Sequence, residues 1–305
     1  MQYSALMRVA GILGLKKVRW ALRRLHCPVS RDALVLEVGA GGNPYPRSNV
    51  LLDGFENSLE RVESEIVRDR PVVLGLCESL PFRDKSFDFV IASHVLEHSD
   101  QPERFLSELM RVGKAGYIET PDAFFERINP YTYHRLEVTD REGKLVIRKK
   151  KNWKPEEELA LLYAAKLARD KDFARFLRIS PDSFYTRFYW KGKIDYVVLN
   201  PSADASWDYP PEARVNCEPG SSWKSRLRSA YLNMIRKMTS QNRRNKRINL
   251  FDLLKCPICN HENFDVSRDK CICTRCGEKY PIEAGVPRMF PRNIDGANKF
   301  RVSGV

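Results

Sequence analysis

The feature that most constrains this chain is a set of five short apolar runs between residues 31 and 122: "ALVLEVG", "NVLLD", "PVVLGL", "FDFVIAS" and "AGYIETP". Each is too short for a buried helix and close to apolar throughout, so neither of its faces can meet water. Strands of that kind belong in a parallel sheet covered on both sides, with the connecting segments as crossovers. The expected fold is therefore α/β, a Rossmann-like, mostly parallel sheet with helices on both faces.

The first run ends in an acid and enters "EVGAGG". Glu37 is thereby placed at the carboxyl edge of the sheet, where Gly39 and Gly41 let the backbone approach a ligand closely. Asp53 ends the second run. Two carboxylates at neighbouring strand ends suit a ligand with a ribose and a positive charge, although a glycine loop alone is equally a structural turn. The prolines Pro44 and Pro46 leave the crossover from Gly42 to Asp53 without room for a first helix.

The segments that follow keep step with one known family. "GLCESLPFRDKSFDFVIASHVLEHSDQPERFLSELMRVGKAGYIETPD" closely resembles the class I S-adenosylmethionine-dependent methyltransferases of the broad small-molecule type, in which a "GD-A-E-x-LPF-x-x-x-SFD" segment precedes an "S-x-x-LEH" strand end. The resemblance covers about Val29 to Asp122. It implies S-adenosylmethionine as cofactor, with Glu37, Gly39 and Gly41 at its methionine end, Asp53 on the ribose hydroxyls, Cys77 and Glu78 beside the adenine, and Ser93 and His94 facing the transferable methyl. Two positions depart from the family: Asn43 replaces its third glycine, and Leu76 stands where an aspartate commonly contacts the adenine amino group.

Transfer to an O or N nucleophile also requires removal of a proton, and imidazole titrates near neutral pH. His94, His98 and His134 are the candidate bases. His98 equally supports the strand end, and His134 lies in an aromatic stretch, "NPYTYHRLEV", expected to be an exposed loop. Family members of this type methylate small molecules, glycans, lipids and quinones, so the acceptor is not specified.

The carboxyl-terminal part carries a separate constraint. Five of the eight cysteines fall between Cys256 and Cys276, and a chain without a recognisable export signal is expected to keep its thiols reduced. Cys256-x2-Cys259 and Cys273-x2-Cys276 are two knuckles whose four thiolates satisfy tetrahedral zinc and leave no open position, the mark of a structural site. Cys271 is the spare. "FDLLKCPIC" and "CGEKYPIEAGVPRMF" resemble the zinc-ribbon activators of tRNA and protein methyltransferases, which bind and stabilise a methyltransferase domain. The resemblance implies a ribbon that packs on the catalytic core in cis, its apolar end with Tyr280, Ile282, Val286, Met289 and Phe290 needing cover.

The expected organisation is thus a basic amphipathic segment over 1–30, a cofactor-binding core over 31–122, an α+β region over 123–249 that shapes the acceptor site, and a ribbon over 250–305. In the first, Leu15, Val18, Leu22 and Leu25 share one apolar face, to be packed on the core or laid on a membrane surface. In the third, "WKPEEELALLYAAKLARDKDFARFL" predicts one helix of five or six turns, and "SFYTRFYW" with "KIDYVVL" predicts a hairpin about a "KGK" turn. A basic helix with Leu227, Tyr231, Met234, Ile235 and Met238 on one stripe leads to a flexible polar linker at 240–249.

The net charge of +13 favours anionic partners, nucleic acid or an acidic lipid surface. The runs "RKKKNWK" and "RRNKR" make an RNA methyltransferase or RNA-binding protein the main alternative, and a catalytically silent scaffold the second. With no apolar run long enough to span a bilayer, a cytoplasmic protein is expected, peripheral to a membrane if the first segment lies on one.

Overall fold

The computed structural model describes residues 3–54, 66–207 and 223–291. All five apolar runs are strands: β1 (Val35–Val38), β2 (Val50–Asp53), β3 (Val72–Leu74), β4 (Phe89–Ser93) and β5 (Ala115–Pro121). They pair in parallel in the order β3-β2-β1-β4-β5, and β8 (Tyr185–Lys191) adds an antiparallel sixth strand beside β5. Every residue of β1 and β2 is buried, as expected for strands closed on both faces.

Alternate side chains along the strands feed different clusters. Leu36, Val38, Val90 and Ala92 pack with Phe105, Leu106 and Leu109 of the helix α3 (Pro102–Val112), whose start is set by Pro102 in its first turn. Val35, Phe89, Ile91 and Tyr117 point the other way, against Tyr45 and the Cys27–Val29 stretch. No helix joins β1 to β2; the segment between them crosses as a loop of turns that buries Tyr45.

The 123–249 region holds a second, three-stranded sheet of β6 (Leu136–Arg141), β7 (Lys144–Lys149) and β9 (Tyr196–Val198). The expected hairpin is not formed. β8 joins the main sheet, whereas β9 pairs in parallel with β7, and an isolated bridge between Lys191 and Lys193 closes the Gly192 turn that leaves β8. The single long helix is also two, α5 (Glu157–Arg169) and α6 (Lys171–Ile179). Asp170 takes an extended backbone and its carboxylate accepts the Phe173 amide, so a capping bond competes successfully with continuation of the helix.

The amino-terminal segment breaks at Gly14 (φ 67°) into α1 (Ala5–Ile12) and α2 (Lys16–Leu22). Its expected apolar face is not the packed one: Leu15, Val18 and Leu25 stay about half exposed, at 47%, 47% and 48%. Inward go Arg19, which pairs with Asp182, Trp20, which lies 5.0 Å from the Tyr185 ring, and Arg23, which reaches Glu119. The buried Glu119 and the half-buried Asp182 draw in the cations, and Trp20 follows them.

In the basic helix α7 (Trp223–Thr239), Tyr231, Met234 and Met238 are exposed, while the side chain of Leu227 lies outside the described residues. The segment after it is docked rather than flexible. It forms the short helix α8 (Asn242–Asn245). Asn49 Nδ2 donates to Asn245 Oδ1 at 2.8 Å, and Arg244 donates to the carbonyls of Arg31, Asp32 and Ala33. Amide and guanidinium side chains thus spend themselves on backbone below the sheet.

The last element is an antiparallel sheet of β10 (Phe264–Val266), β11 (Lys270–Cys273), β12 (Lys279–Glu283) and β13 (Val286–Pro287). Just beyond β13 the chain runs along β3, with Arg288 bridged in parallel to Leu74 and the Met289 amide donating to the Leu74 carbonyl at 2.7 Å. A second strap joins Phe82 to Leu254, where Arg83 N–H meets Leu253 O at 2.9 Å and Lys255 N–H meets Pro81 O at 3.1 Å. The first lies on the backbone edge of the outermost strand β3, and the second fastens the loop that follows it.

Candidate active site and cysteine cluster

The order β3-β2-β1-β4 reverses direction at β1, which makes the carboxyl ends of β1, β2 and β4 the crevice of the sheet. Glu37, Gly39, Asp53, Ser93 and His94 all sit there. Glu37 is buried; its Oε2 accepts the Tyr45 amide and the Ser48 hydroxyl, both at 2.7 Å. Burial pushes this carboxyl above its usual range, against the pull of Arg24 and those two hydrogen bonds. The loop that replaces a helix is therefore tied down by the acid that opens it.

Gly39 has φ 67°, and a Cβ there would stand 2.2 Å from Val95 Cγ2. The glycine is explained first by the approach of β1's end to the turn after β4, with the bare backbone as a further consequence. Gly41, also left-handed at φ 55°, donates its amide to Asp53 Oδ2 at 2.9 Å and so fixes the orientation of that buried carboxylate. Beyond β3, Cys77 lies under the same crevice with its thiol pushed well up, by burial and then by Glu78 and Asp53. Glu78 accepts the Ser99 hydroxyl at 2.6 Å and joins the loops after β3 and β4.

The other half of the crevice centres on a residue the sequence reading missed. Glu119, near the end of β5, has no exposed surface. Arg23 grips it with Nε and Nη2, at 2.8 and 3.1 Å, while the Ser93 and Tyr117 hydroxyls donate to it and His94 Nε2 stands 3.3 Å away. Burial alone would raise the Glu119 carboxyl; His94 and Arg23 reverse that and hold it far below the usual carboxylate range. The signal available in sequence was an acid in the "YIETP" strand end, analogous to Glu37 and Asp53.

His94 has a left-handed backbone, φ 59°, and its ring spans two acids, with Nδ1 3.3 Å from Glu97 and Nε2 3.3 Å from Glu119. Burial pulls its pKa down, but the two carboxylates outweigh it and raise the ring to about 9. At neutral pH this imidazole already carries its proton. In that state it can donate a hydrogen bond into the crevice.

His98 and His134 face each other with rings 4.8 Å apart and nearly perpendicular. The expectation of an exposed His134 fails: the residue is 8% exposed, because the stretch after it is β6 and the ring hydrogen-bonds through Nδ1 to Glu126 at 2.7 Å. The Arg135 amide, donating to the Glu97 carbonyl at 2.7 Å, ties that strand to the turn after β4.

In the carboxyl-terminal sheet, Cys256, Cys259, Cys273 and Cys276 bring their sulfurs within 4.8 Å of one another, with Cys259–Cys273 at 3.5 Å and Cys256–Cys276 at 3.8 Å. A tetrahedron of thiolates on zinc places sulfurs about 3.8 Å apart, so the four fit one such ion. The Tyr280 hydroxyl stands 3.1 Å from Cys256 Sγ, placed to orient that ligand. Cys271 is buried in the core cluster outside the group, with its thiol raised to about 11 by burial.

Residues 36–118, from β1 to β5, match the family model of a methyltransferase domain. Among curated proteins, the chain is 33% identical to an uncharacterized protein of Methanocaldococcus jannaschii over 32% of its own length and 45% of that protein. It is 30% identical to a ubiquinone/menaquinone biosynthesis C-methyltransferase of Xylella fastidiosa over 42% of its own length and 56% of that protein. The chain thus spans about half the length of the curated relatives it matches. Solved structures like it include an S-adenosylmethionine-dependent methyltransferase of Mesorhizobium loti (12% identity, 57% of this chain, 96% of that one, TM-score 0.32) and a chain of the complex containing the Haloferax volcanii Trm112 methyltransferase activator (18%, 46%, 76%, 0.28). Residues 36–118 thus carry the sequence pattern of a methyltransferase domain on a mostly parallel, Rossmann-like sheet.

Proposed function

We propose that the chain is an S-adenosylmethionine-dependent methyltransferase acting on an O or N nucleophile of a small molecule, glycan or lipid-linked acceptor. The observation that carries this reading is the pair of buried carboxylates, Glu37 and Asp53, at the ends of adjacent parallel strands and oriented by the loop between them. Asp53 would hold the ribose hydroxyls, with Glu37, Gly39 and Gly41 at the methionine end and Cys77 and Glu78 at the adenine. When bound, the cofactor supplies a methyl carbon open to in-line attack, the bonding electrons staying on sulfur. The chain's own contribution is position and charge: His94, cationic between two acids, and Arg23, Trp20 and Tyr185 lie on the acceptor side. Incubation with methyl-labelled cofactor and fractionated cell extract should move label into one fraction; label that enters none, from protein that binds the cofactor, supports the silent-scaffold alternative.

A structural zinc on the four cysteines would hold the ribbon that straps β3, in the manner of an activator fused in cis. Metal analysis of reduced protein should give a zinc that is lost on Cys273→Ser and kept on Cys271→Ser.

For the anionic partner, one observation favours a lipid surface over nucleic acid. Leu6, Val9, Ile12 and Leu13 on and after α1 are 67%, 52%, 85% and 64% exposed, beside exposed Arg8, Lys16 and Lys17. Part of each basic run is turned inward instead: Lys149 pairs with Glu103, Lys150 with Glu126, and Arg244 donates to backbone carbonyls. Among the described residues no helix is long and apolar enough to cross a membrane. Sedimentation with vesicles should show binding that rises with anionic lipid and falls with Ile12→Asp; equal salt-sensitive binding of bulk tRNA by the wild type and by that variant favours the RNA alternative.

A further inference from the structure

Immediately after His94 the chain makes a tight turn over Leu96–His98, and the entry to β6 packs against it. This brings Glu97, His98 and His134 together so that one ligand atom of each lies within 4.8 Å of the others. Glu97 is 1% exposed. His94 Nδ1 approaches one of its oxygens to 3.3 Å, yet neither oxygen accepts a hydrogen bond of good geometry among the described residues. The His94 ring answers part of that charge, but a carboxylate buried this deeply, whose oxygens accept no well-aligned hydrogen bond, still has lone pairs open to a ligand.

The histidine opposite is prepared for such a role. His134 gives Nδ1 to Glu126 Oε2 at 2.7 Å, which leaves Nε2 as the ring's available ligand atom. Glu126 has no further role of its own to offer: its other oxygen accepts the Tyr131 amide at 3.1 Å and the Lys150 ammonium at 2.9 Å. The carboxylate therefore acts as the outer partner that sets ring tautomer and direction, an arrangement typical of metal-ligating histidines.

We propose that Glu97, His98 and His134 form a binding site for a divalent first-row transition ion, separate from the four cysteines. Two imidazoles and one carboxylate suit zinc, cobalt or ferrous iron better than magnesium or calcium, which take oxygen ligands. Three protein ligands leave coordination positions open. The site adjoins His94 at the end of β4, so an acceptor oxygen could occupy one of those positions and lose its proton to solvent at neutral pH. That last role rests on the methyl-transfer reading; the metal site itself does not.

The test is titration of the full chain, its cysteine site loaded with zinc, with cobalt(II), followed by metal analysis and visible absorption. The wild type should retain one additional cobalt after gel filtration, with weak bands of a nitrogen and oxygen ligand set. Cobalt that displaced zinc from the cysteines would show the intense thiolate absorption instead, and with no other uptake would overturn the proposal. Glu97→Gln and His98→Gln should each abolish the additional uptake, and Glu126→Gln should weaken it about 10–100-fold by releasing His134. Uptake unchanged in both Glu97→Gln and His98→Gln, checked as folded by circular dichroism, refutes the assignment, as does a wild type that takes up none. Because the readout is stoichiometry without cofactor or acceptor, it stands or falls apart from methyl transfer.

Discussion

The two halves of the crevice solve the same problem with different parts of the chain. At the ends of β1 and β2, buried acids are met by neighbours in sequence: Glu37 by Tyr45 and Ser48, Asp53 by Gly41. At the ends of β4 and β5 the partners come partly from far away: Glu119 is met by Arg23 across 96 positions, and Glu97, beside His94 three positions before it, has His134 brought next to it by the entry to β6. The first half is a loop motif that forms with the sheet. The second exists only once the amino-terminal helices and the region after residue 122 have docked on it.

The largest effect should come from breaking that long-range half. Arg23→Ala takes two hydrogen bonds from the fully buried Glu119, which keeps His94 and Arg187 close by, so the loss should be about 1.5–3 kcal/mol, the worth of hydrogen bonds to a charged group. Urea unfolding should show it, with cofactor-product affinity nearly intact in the folded fraction. A variant as stable as the wild type breaks the comparison, since Glu119 would then not depend on the helix.

Gly39→Ala tests the short-range half. A new Cβ 2.2 Å from Val95 Cγ2 on a left-handed backbone should cost on the order of 1–3 kcal/mol. Adding Val95→Ala should return part of it, leaving the strain of φ 67° and a close contact to the retained Cβ at 3.2 Å. No rescue in the double variant means the glycine answers to the backbone alone.

The pH response sharpens the comparison with a smaller effect. His94 is raised in the folded chain, so its contribution is complete below the ordinary value of 6.5 and is lost as pH rises through about 9. The ring should titrate near 9 by NMR, and Glu119→Gln should bring that midpoint down. A His94 midpoint near 6.5 in the wild type removes the argument that it is a cation at neutral pH.

The same contrast explains what could be read in advance. The five strands, the glycine loop and the cysteine knuckles are signalled by residues close together, where apolar periodicity or ligand spacing is itself the physical cause. The amino-terminal face was misjudged because periodicity ranks Leu15, Val18 and Leu25 as the packed side, while the winning contacts are ionic and aromatic ones made by Arg19, Trp20 and Arg23. His134 was expected in a loop because nothing near it in sequence announces Glu126 as its partner or β6 as its continuation. The break at Asp170 was legible: an acid three residues before Phe173 is a capping signal inside an otherwise helical run.

The central claim is that the strand-end acids of the short-range half hold S-adenosylmethionine. Calorimetric titration of the full chain with S-adenosylhomocysteine, the product form, addresses it directly, comparing wild type with Asp53→Ala. The account predicts saturable binding by the wild type and an affinity lower by about 10–100-fold in Asp53→Ala, the worth of a hydrogen bond to a charged group, measured at a temperature where both free proteins are folded. No heat from the wild type at millimolar ligand, or equal affinities for the two proteins, contradicts it.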